Sequence, residues 1–538
     1  MIVTDERLGR IEVATLPLPE YARVAVATYT FAGNVMLFYR TDSDPKEDGY
    51  VHLAVVNDDG SDFRTVFSGV VKLHPKANGL RIMPFWDNRR ALMGDYVIEC
   101  HPDIARCESV EFVPIEYPWD VDNDPRTTHR WSEIIIAPDN EHMSWTMLRT
   151  DVGAMNGLGV LKRRGDRYVI EKPQIISSIA FFKPDPDRPG YLIPQPVRGG
   201  EVKQFIRGGT AISLVGAKDG ATTDSVVQDL ITGEVIRITR TPGYDETTMF
   251  SPDERLGVVM TSRGSKRTDP AIFGLMPRPF GTAVVGGMSM ALYMYAVTGV
   301  RSFRKGNIGP ALVEIERSMN EPGYKGVLLH DPDEEWVYMS PISWHPGGKK
   351  AMWMELLRGS ARSEGGVKTR VRIATLHDYQ PHAPFPARRT PDEIPYAIKE
   401  EQIVGRLESI VPERSDVNGK IEGKHSGYAE IWIEGRDLLR GAAGSSEVRY
   451  FNYSDDGKTF YNGYERAIHS LTSDTVYEAD LELTGERRGE MRLRAAFSRL
   501  SFESPPRLLF DPAPDGKPKS YGYATYDGVT LNIADLEP

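Results

Sequence analysis

Four stretches of this sequence share one form: Ala-Pro-Asp-Asn (Ala137–Asn140), Ser-Pro-Asp-Glu (Ser251–Glu254), His-Pro-Gly-Gly (His345–Gly348) and Ser-Asp-Asp-Gly (Ser454–Gly457). Each has the composition of a tight turn, because Pro, Asp, Asn and Gly all suit turn backbones. Counted from the second turn residue, an arginine follows after 11, 11, 12 and 11 residues, at Arg149, Arg263, Arg358 and Arg466. A turn at a constant distance from one residue type indicates repeated copies of a small β unit.

Strand-like segments flank these turns on both sides. Trp131–Ile136 precedes the first turn and His142–Leu148 follows it, while Glu447–Tyr453 and Thr459–Tyr464 flank the fourth. Alternation of apolar residues with β-branched and aromatic side chains is typical of strands. The pattern predicts about seven units, at roughly residues 22–75, 76–118, 127–180, 200–240, 243–335, 336–380 and 425–538.

Many short strands in repeated units predict an all-β chain that folds as a β-propeller with seven blades, inserted loops and an extended C-terminal β region. We expect blades one to six within residues 1–380, with an insertion near 265–310. Residues 381–424, rich in proline and charge, are expected to run over the surface. Residues 425–538 would then hold the last blade and the closing strands, or a small β appendage. The alternative is two β-sandwich domains in series.

The composition is that of a globular protein, with 40% hydrophobic and 26% charged residues among 538. A net charge of −11 argues against general nucleic-acid binding, which needs an excess of Lys and Arg. Two cysteines, Cys100 and Cys107, are too few for a disulfide framework. Met1–Arg7 lacks the features of a signal peptide, so a cytoplasmic location is expected. The uncharged segment Phe280–Val297 favours two buried strands, or a strand and a helix, over a membrane span.

The four turns resemble the Ser-Pro-Asp-Gly-Lys turns of TolB-like propellers. The resemblance is carried by Ser251-Pro-Asp-Glu, Ala137-Pro-Asp-Asn, His345-Pro-Gly-Gly-Lys and Ser454-Asp-Asp-Gly-Lys. It implies a TolB-like propeller of the WD40-like repeat type, distantly similar to oligogalacturonate-lyase-type propellers. It also implies that the residues before each inner strand and after its partner strand surround one funnel mouth.

The arginines that follow the turns are the first candidates for a binding site. Several guanidinium groups at one funnel mouth would bind a carboxylate or phosphate in a bidentate manner. The alternative is that each arginine pairs with a nearby acid and joins neighbouring blades. The basic residues expected to bind substrate are Arg130, Arg149, Arg263, Arg358, Arg449 and Arg466.

Proton carriers are expected at the same mouth. His129, next to Arg130 and Trp131, is the first candidate because histidine exchanges protons near neutral pH. Tyr338 and His101 are the alternatives. The other residues expected to contact substrate are Trp131, Tyr244, Glu246 and Tyr450. The alternative for His129 is a histidine in a polar rim loop.

Together these residues predict an intracellular enzyme with lyase or hydrolase chemistry on a small anionic or sugar-like substrate. The alternative is a non-catalytic propeller that serves as a platform for protein–protein interaction, because fold alone does not decide function. No nucleotide-binding or serine-hydrolase motif is present in the sequence. The sequence predicts no certain cofactor, and a divalent metal ion remains compatible with it.

Overall fold

The computed structural model describes residues 1–536 except 197–199, 217–221, 266–269, 307, 322, 333–334, 363–365, 404–406, 408–409, 411–415, 435–443, 471 and 502–503. Parts of the predicted insertion, of the surface excursion and of the C-terminal region therefore lie outside the described residues. The chain begins with the hairpin β1 (Ile2–Asp5) and β2 (Gly9–Thr15). Strands in antiparallel sheets of four then follow one another along the sequence.

Six sheets follow in chain order. The first contains β3 (Arg23–Tyr29), β4 (Val35–Arg40), β5 (Tyr50–Val56) and β6 (Arg64–Val70). The second contains β7 (Met83–Pro84), β8 (Arg90–Leu92), β9 (Tyr96–His101) and β10 (Ser109–Glu116). The third contains β11 (Thr127–Ile136), β12 (His142–Arg149), β13 (Gly153–Arg164) and β14 (Arg167–Ile175), and β14 also pairs with β10 in parallel.

A short hairpin, β15 (Phe182–Pro184) and β16 (Leu192–Pro194), precedes the fourth sheet. That sheet contains β17 (Val202–Ile206), β18 (Ala211–Gly216), β19 (Asp224–Asp229) and β20 (Val235–Arg237). The fifth contains β21 (Asp245–Phe250), β22 (Leu256–Thr261), β23 (Gly309–Glu314) and β24 (Val327–Leu328). The sixth contains β25 (Trp336–Trp344), β26 (Lys350–Leu357) and β27 (Thr369–Leu376), and β2 joins it beside β27.

Apolar clusters join each sheet to the next one all the way round. The first and second sheets share one cluster, the second and third another, and the third and fourth another. The series continues from fourth to fifth and from fifth to sixth, and it closes from the sixth sheet back to the first. The first strand of each sheet also contacts the first strand of the next. This closed ring is a β-propeller, with the strands β3, β7, β11, β17, β21 and β25 around its axis.

The described residues form six blades rather than the seven that the sequence predicted. The closing strand comes from the N-terminus, because β2 pairs with β27, and not from residues 425–538. Three turn phrases, at Ala137, Ser251 and His345, each join the first strand of a blade to the second, as predicted. The fourth, at Ser454, joins two strands of a separate sheet.

That separate sheet occupies most of the region predicted to hold the last blade. Its eight antiparallel strands are β29 (Val417–Glu422), β30 (Ser426–Glu434), β31 (Gly444–Ser454), β32 (Thr459–His469), β33 (Thr475–Gly485), β34 (Gly489–Phe497), β35 (Tyr521–Tyr526) and β36 (Val529–Asn532). In its turn, Asp456 Oδ1 accepts hydrogen bonds from the backbone N–H groups of Lys458 and Thr459, both at 2.8 Å. The turn phrase closes any antiparallel hairpin by this local chemistry, and therefore it does not identify a blade.

The insertion between β22 and β23 is helical, whereas its apolar segment was expected to contain at least one strand. It contains α1 (Gly281–Val285), α2 (Ser289–Tyr293) and α3 (Gly299–Ser302), joined by further helical turns. One face packs against the eight-stranded sheet, and Ala296, Val297 and Val300 pack against the fifth and sixth blades. In the described part of the chain, no helix combines the length and apolarity needed to span a bilayer. A fourth short helix, α4 (Ile315–Asn320), follows β23.

The segment after β27 runs along the face of the ring where the turn phrases lie. Asp253 Oδ2 accepts hydrogen bonds from the His382 N–H and the Tyr379 hydroxyl, each at 3.0 Å. Asp139 Oδ2 accepts one from the Thr390 N–H at 2.9 Å. The segment ends in β28 (Ile398–Lys399), which pairs with β14. The aspartate of the turn phrase therefore anchors this segment as well as closing its own turn.

Trp131 and Gly94 fit closely at the contact between the second and third blades. Gly94 has a φ of +85°, and a Cβ added there would lie 2.0 Å from Trp131 Cζ2. We expect Gly94→Ala to lower the free energy of unfolding by about 2–3 kcal/mol, because strain and overpacking add. Gly79→Ala is the matched control, with a φ of +68° and open space around the added Cβ. Chemical denaturation of both variants checks this, and equal losses would show that the contact with Trp131 contributes nothing.

Candidate functional site

A buried charged cluster lies on the axis of the ring, where the inner strands begin. Lys203 Nζ, on β17, lies 2.8 Å from Glu201 Oε2, 3.3 Å from Glu133 Oε1 and 3.5 Å from Glu246 Oε1. Glu133 lies on β11 and Glu246 on β21, so three consecutive blades supply these side chains. We call Glu133, Glu201, Lys203 and Glu246 the axial cluster.

Tyrosine hydroxyls and a second cation surround the axial cluster. The Tyr244 hydroxyl donates a hydrogen bond to Glu246 Oε2 at 3.1 Å. Tyr338, at the start of β25, is buried, and burial together with the charge of Glu246 raises its pKa above the usual range. Arg81 Nε lies 3.8 Å from Glu133 Oε2. Burial raises the pKa of Tyr244 as well, so both tyrosines are neutral rather than bases, and Tyr244 is the one that donates to the cluster.

The helical insertion covers this end of the axis. Arg301 Nε, on α3, donates a hydrogen bond to the Tyr338 carbonyl at 3.0 Å. Water still reaches the cluster, since the Glu201 side chain is 25% exposed and that of Glu133 18%. Lys203 is more enclosed, at 6%. The axial cluster is therefore covered by the insertion but still partly open to water.

The protonation states within the axial cluster differ from residue to residue. Burial lowers the pKa of Lys203, but the three carboxylates outweigh burial and raise it well above its usual range. Burial raises the pKa of Glu201, but attraction to Lys203 and hydrogen bonds from Lys203 and Ser132 outweigh it and lower the pKa. Burial, opposed by Lys203 but reinforced by Glu201, raises the pKa of Glu246. One carboxyl thus favours its proton while a neighbour favours its charge.

Cations surround these carboxyl groups. Lys203 contacts all three, Arg81 Nε lies 3.8 Å from Glu133 Oε2, and the charge of Arg301 lowers the pKa of Glu246 against the larger effect of burial. Neighbouring carboxyls whose environments push their pKa values apart are the usual arrangement of an acid and a base in an active site.

His129 lies near the axial cluster but is not one of its contacting members. It is half-buried on β11, and its Nδ1 lies 3.2 Å from the Thr128 hydroxyl. Burial lowers its pKa, and the charge of Glu201 acts in the opposite direction. The imidazole is therefore neutral at pH 7 and within electrostatic reach of Glu201.

Two arginines after the turns pair with acids of their own blades. Arg149 Nη1 lies 2.5 Å from Asp124 Oδ2, and its Nη2 lies 2.8 Å from Asp151 Oδ2. Arg263 Nη2 lies 2.9 Å from Asp245 Oδ2, and its Nη1 donates to the Lys325 carbonyl. These contacts match the alternative in which the arginines stabilise the blades, because nearby acids already occupy both guanidinium groups.

The other two arginines serve the insertion and the C-terminal sheet. Arg358 Nη1 donates to the Val300 carbonyl at 2.6 Å, just before the end of α3, and Nη2 donates to Gly306. Arg466 lies on the exposed face of β32, with Nη2 2.5 Å from Glu478 Oε2. The expected convergence of four arginines on the funnel is therefore not present, because equal spacing fixes their height along a strand but not their direction.

Arg130 and Trp131 lie between blades rather than at the axial cluster. Arg130 is buried over the Tyr117 ring, 3.4 Å from Asp122 Oδ2. Trp131 is fully buried and its Nε1 donates to Asp95 Oδ1 at 2.8 Å. Both stabilise the contact of the second and third blades.

Arg449 and Tyr450 lie on β31, outside the ring. Arg449 is exposed and pairs with Glu447, with Nε 2.5 Å from Oε1. The Tyr450 hydroxyl is buried against Glu465. Of the predicted site residues, the structure thus brings Tyr244, Glu246 and Tyr338 together, with His129 close by.

Sequence reasoning missed Glu133, Glu201 and Lys203. The available signal was a charged residue beside apolar ones at an inner strand, as in Ser132-Glu133-Ile134 and Glu201-Val202-Lys203. The fourth blade carries no proline turn phrase, and its inner strand was therefore not recognised.

His101 lies at the outer edge of the second blade. His101, Glu99 and Glu111 each offer one possible ligand atom, and these atoms lie within 4.8 Å of one another. Among the described residues, this is the one group of side chains that could hold a metal ion in this way. Arg163 already neutralises both glutamates, at 3.2 Å from Glu99 Oε1 and 3.1 Å from Glu111 Oε1. A divalent cation would compete with this guanidinium, so the residues fit such an ion poorly.

No family model matches the chain, and the search of curated proteins finds no match. Solved structures similar to it include a putative TolB from Agrobacterium tumefaciens, at 13% identity and a TM-score of 0.32, with 57% of this chain and 83% of that chain covered. The propeller domain of the Trilobed protease from Pyrococcus furiosus is 8% identical, with a TM-score of 0.30 over 67% and 97%. A luciferin-regenerating enzyme is 11% identical, with a TM-score of 0.35 over 70% and 100%. By its own ring of blades the chain is a β-propeller, the fold that the resemblance to TolB-like proteins implied.

Proposed function

We propose that the chain is an enzyme that carries out hydrolase or lyase chemistry on a small polyhydroxylated substrate at the axial cluster. The observation that carries this proposal is the contact of one protonated lysine with two glutamates whose pKa values are shifted in opposite directions. An acid and a base held together in a covered site are what such chemistry requires.

The residues have separate roles in this proposal. In hydrolysis, Glu201 takes a proton from water, the water oxygen bonds to the substrate, and the bond to the leaving oxygen breaks. Glu246 then gives its proton to the leaving oxygen. In elimination, Glu201 instead removes a proton from the carbon next to the one that carries the leaving oxygen. A carbon–carbon double bond forms as the bond to that oxygen breaks, and Glu246 gives the oxygen its proton. Lys203 holds both carboxyl groups in place, and Tyr244 donates a hydrogen bond to Glu246. Tyr338 offers its hydroxyl to the substrate, and the neutral His129 lies within electrostatic reach of Glu201.

The proposed substrate class follows from the charge of the axial cluster. Carboxylates accept hydrogen bonds from hydroxyl groups, so a sugar-like compound suits the axial cluster. An anionic substrate suits it less, because the arginines expected to bind an anion are paired elsewhere. Cys100 and Cys107 are free and buried, which suits a reducing compartment, and we propose that the enzyme acts in the cytoplasm.

Substitution of the acid and the base tests this proposal. The wild type is assayed with a panel of para-nitrophenyl glycosides for hydrolysis and with uronate oligosaccharides for elimination. Glu246→Gln and Glu201→Gln are each expected to lower turnover on the order of a hundredfold, as the loss of a proton-transfer group does. Glu355→Gln is the matched control, a buried glutamate that pairs with Arg370 away from the axis.

Unfolding curves of all three variants accompany the assay, so that loss of fold is not read as loss of chemistry. Turnover within a few-fold of the wild type in folded Glu246→Gln would contradict the proposal. Failure of the wild type to act on any compound of the panel would favour the interaction platform instead.

A further inference from the structure

The outer strands of the first blade carry a serine, a histidine and an aspartate in one hydrogen-bonded line. His52 Nδ1 lies 2.7 Å from Ser68 Oγ, and His52 Nε2 lies 2.8 Å from Asp44 Oδ1. From this geometry we infer a second active site, a serine esterase centre for apolar esters, formed by Ser68, His52 and Asp44. It lies on strands β5 and β6, away from the axial cluster.

Strand pairing and a held loop position these three side chains. His52 on β5 and Ser68 on β6 are register partners, so they project from the same face of the sheet. Asp44 belongs to the loop between β4 and β5, where the Thr41 N–H donates to its Oδ2 at 2.8 Å and the Thr41 hydroxyl to its Oδ1 at 2.5 Å. The Asp44 side chain is 11% exposed, while Ser68 is open to solvent. The aspartate is thus fixed and the serine accessible.

The hydrogen bonds define the direction of proton movement. When Nε2–H donates to Asp44, Nδ1 is left as the acceptor for the Ser68 hydroxyl proton. The two ring nitrogens are interchanged relative to the usual serine-protease triad, but either can act as the base. Asp44 stays ionised, because the hydrogen bonds from Thr41 and His52 outweigh burial and lower its pKa.

The reaction balances without any further reagent than water. Ser68 Oγ bonds to the ester carbonyl carbon as its proton passes to His52 Nδ1. The bond to the alcohol oxygen then breaks, and that oxygen takes the proton from His52. Water repeats both steps on the acyl-serine and releases the acid. β6 is the outer strand of its sheet, so the strand that carries Ser68 also has backbone N–H groups along an edge with no further strand.

Aromatic rings around His52 indicate the substrate class. Tyr39 stacks on the imidazole at 4.7 Å between centroids, and Tyr50 meets it edge-on at 5.4 Å. Phe63 lies 5.5 Å from Tyr39, and Tyr21, which is 57% exposed, lies 6.4 Å from it. This surface suits an acyl or aryl group, so an apolar ester fits better than a sugar or an ion.

A fluorophosphonate probe and para-nitrophenyl butyrate test the inference on the full chain. We expect the probe to label Ser68, as located by peptide mass analysis, and the wild type to hydrolyse the ester. Ser68→Ala and His52→Gln should each lower hydrolysis at least about a hundredfold. Ser61→Ala is the matched control, since Ser61 is an exposed serine of the same blade whose hydroxyl donates to Asp59.

Glu246→Gln should leave labelling and ester hydrolysis unchanged, which separates this site from the axial one. Labelling of Ser68 no stronger than that of Ser61 would overturn the inference. So would ester hydrolysis by Ser68→Ala at the wild-type rate, because the line of hydrogen bonds would then only hold the loop of Asp44.

Discussion

Replacement of Arg278 by methionine is expected to lower the free energy of unfolding by about 3–5 kcal/mol, because it leaves a buried carboxylate without its cation. Arg278 precedes α1, and its Nε lies 2.9 Å from Glu465 Oε2 on β32, with both side chains fully buried. Its Nη1 and Nη2 also donate to the carbonyls of Met276 and Phe273, at 2.7 and 3.0 Å. This pair joins the helical insertion to the eight-stranded sheet.

Arg466, which follows Glu465 on β32, provides a matched control. Arg466 is 45% exposed and pairs with Glu478, so Arg466→Met should change the free energy of unfolding by less than about 1 kcal/mol. The double variant Arg278→Met/Glu465→Gln should recover part of the loss, because no unpaired charge remains buried. Chemical denaturation followed by fluorescence measures all three. Equal losses for Arg278→Met and Arg466→Met would contradict the role given to the buried pair.

The fold could be predicted from the sequence to the extent that local turn chemistry determines it. The phrases at Ala137, Ser251 and His345 each form the turn between the first two strands of a blade. The phrase at Ser454 forms the same kind of turn in another sheet, and this added the seventh blade to the prediction. Turn chemistry is local, whereas the number of blades depends on which distant strands pair.

The direction of the arginines could not be predicted for a related reason. The spacing from turn to arginine places Arg149, Arg263 and Arg358 at or just beyond the end of a second strand, where acids such as Asp151 and Asp245 lie within reach. Pairing with such an acid is the more favourable arrangement for a buried guanidinium. The sequence shows that the acids are present, but it does not show which arginine each acid pairs with.

The axial cluster and the serine centre both depend on pairing across strands. Glu133, Lys203 and Glu246 come from three blades, and only closure of the ring brings them together. His52 and Ser68 become neighbours through the register of β5 and β6. No short sequence motif indicates either arrangement. Tyr244, Glu246 and Tyr338 were found because they come just before or at the start of inner strands.

Replacement of Lys203 by methionine is expected to cost about 3–5 kcal/mol at pH 8, since three carboxyl groups of the axial cluster lose their common cation. The loss should shrink as the pH falls. Without Lys203, burial raises the pKa of Glu201 and Glu246 above the unfolded value of about 4.3. Groups with a raised folded pKa contribute stability at low pH and lose it as the pH rises.

Urea denaturation at several values between about pH 5 and pH 8 measures this dependence. Lys162→Met is the matched control, because Glu141 is the one acid that Lys162 pairs with among the described residues, and both side chains are 36% exposed. Its effect should stay below about 1 kcal/mol at every pH. If Lys203→Met lost the same small amount, or lost stability equally at both ends of the range, the axial carboxylates would not depend on this lysine. Glu201 and Glu246 would then have no common cation to separate their protonation states, and the acid and base roles proposed for them would lose their physical basis.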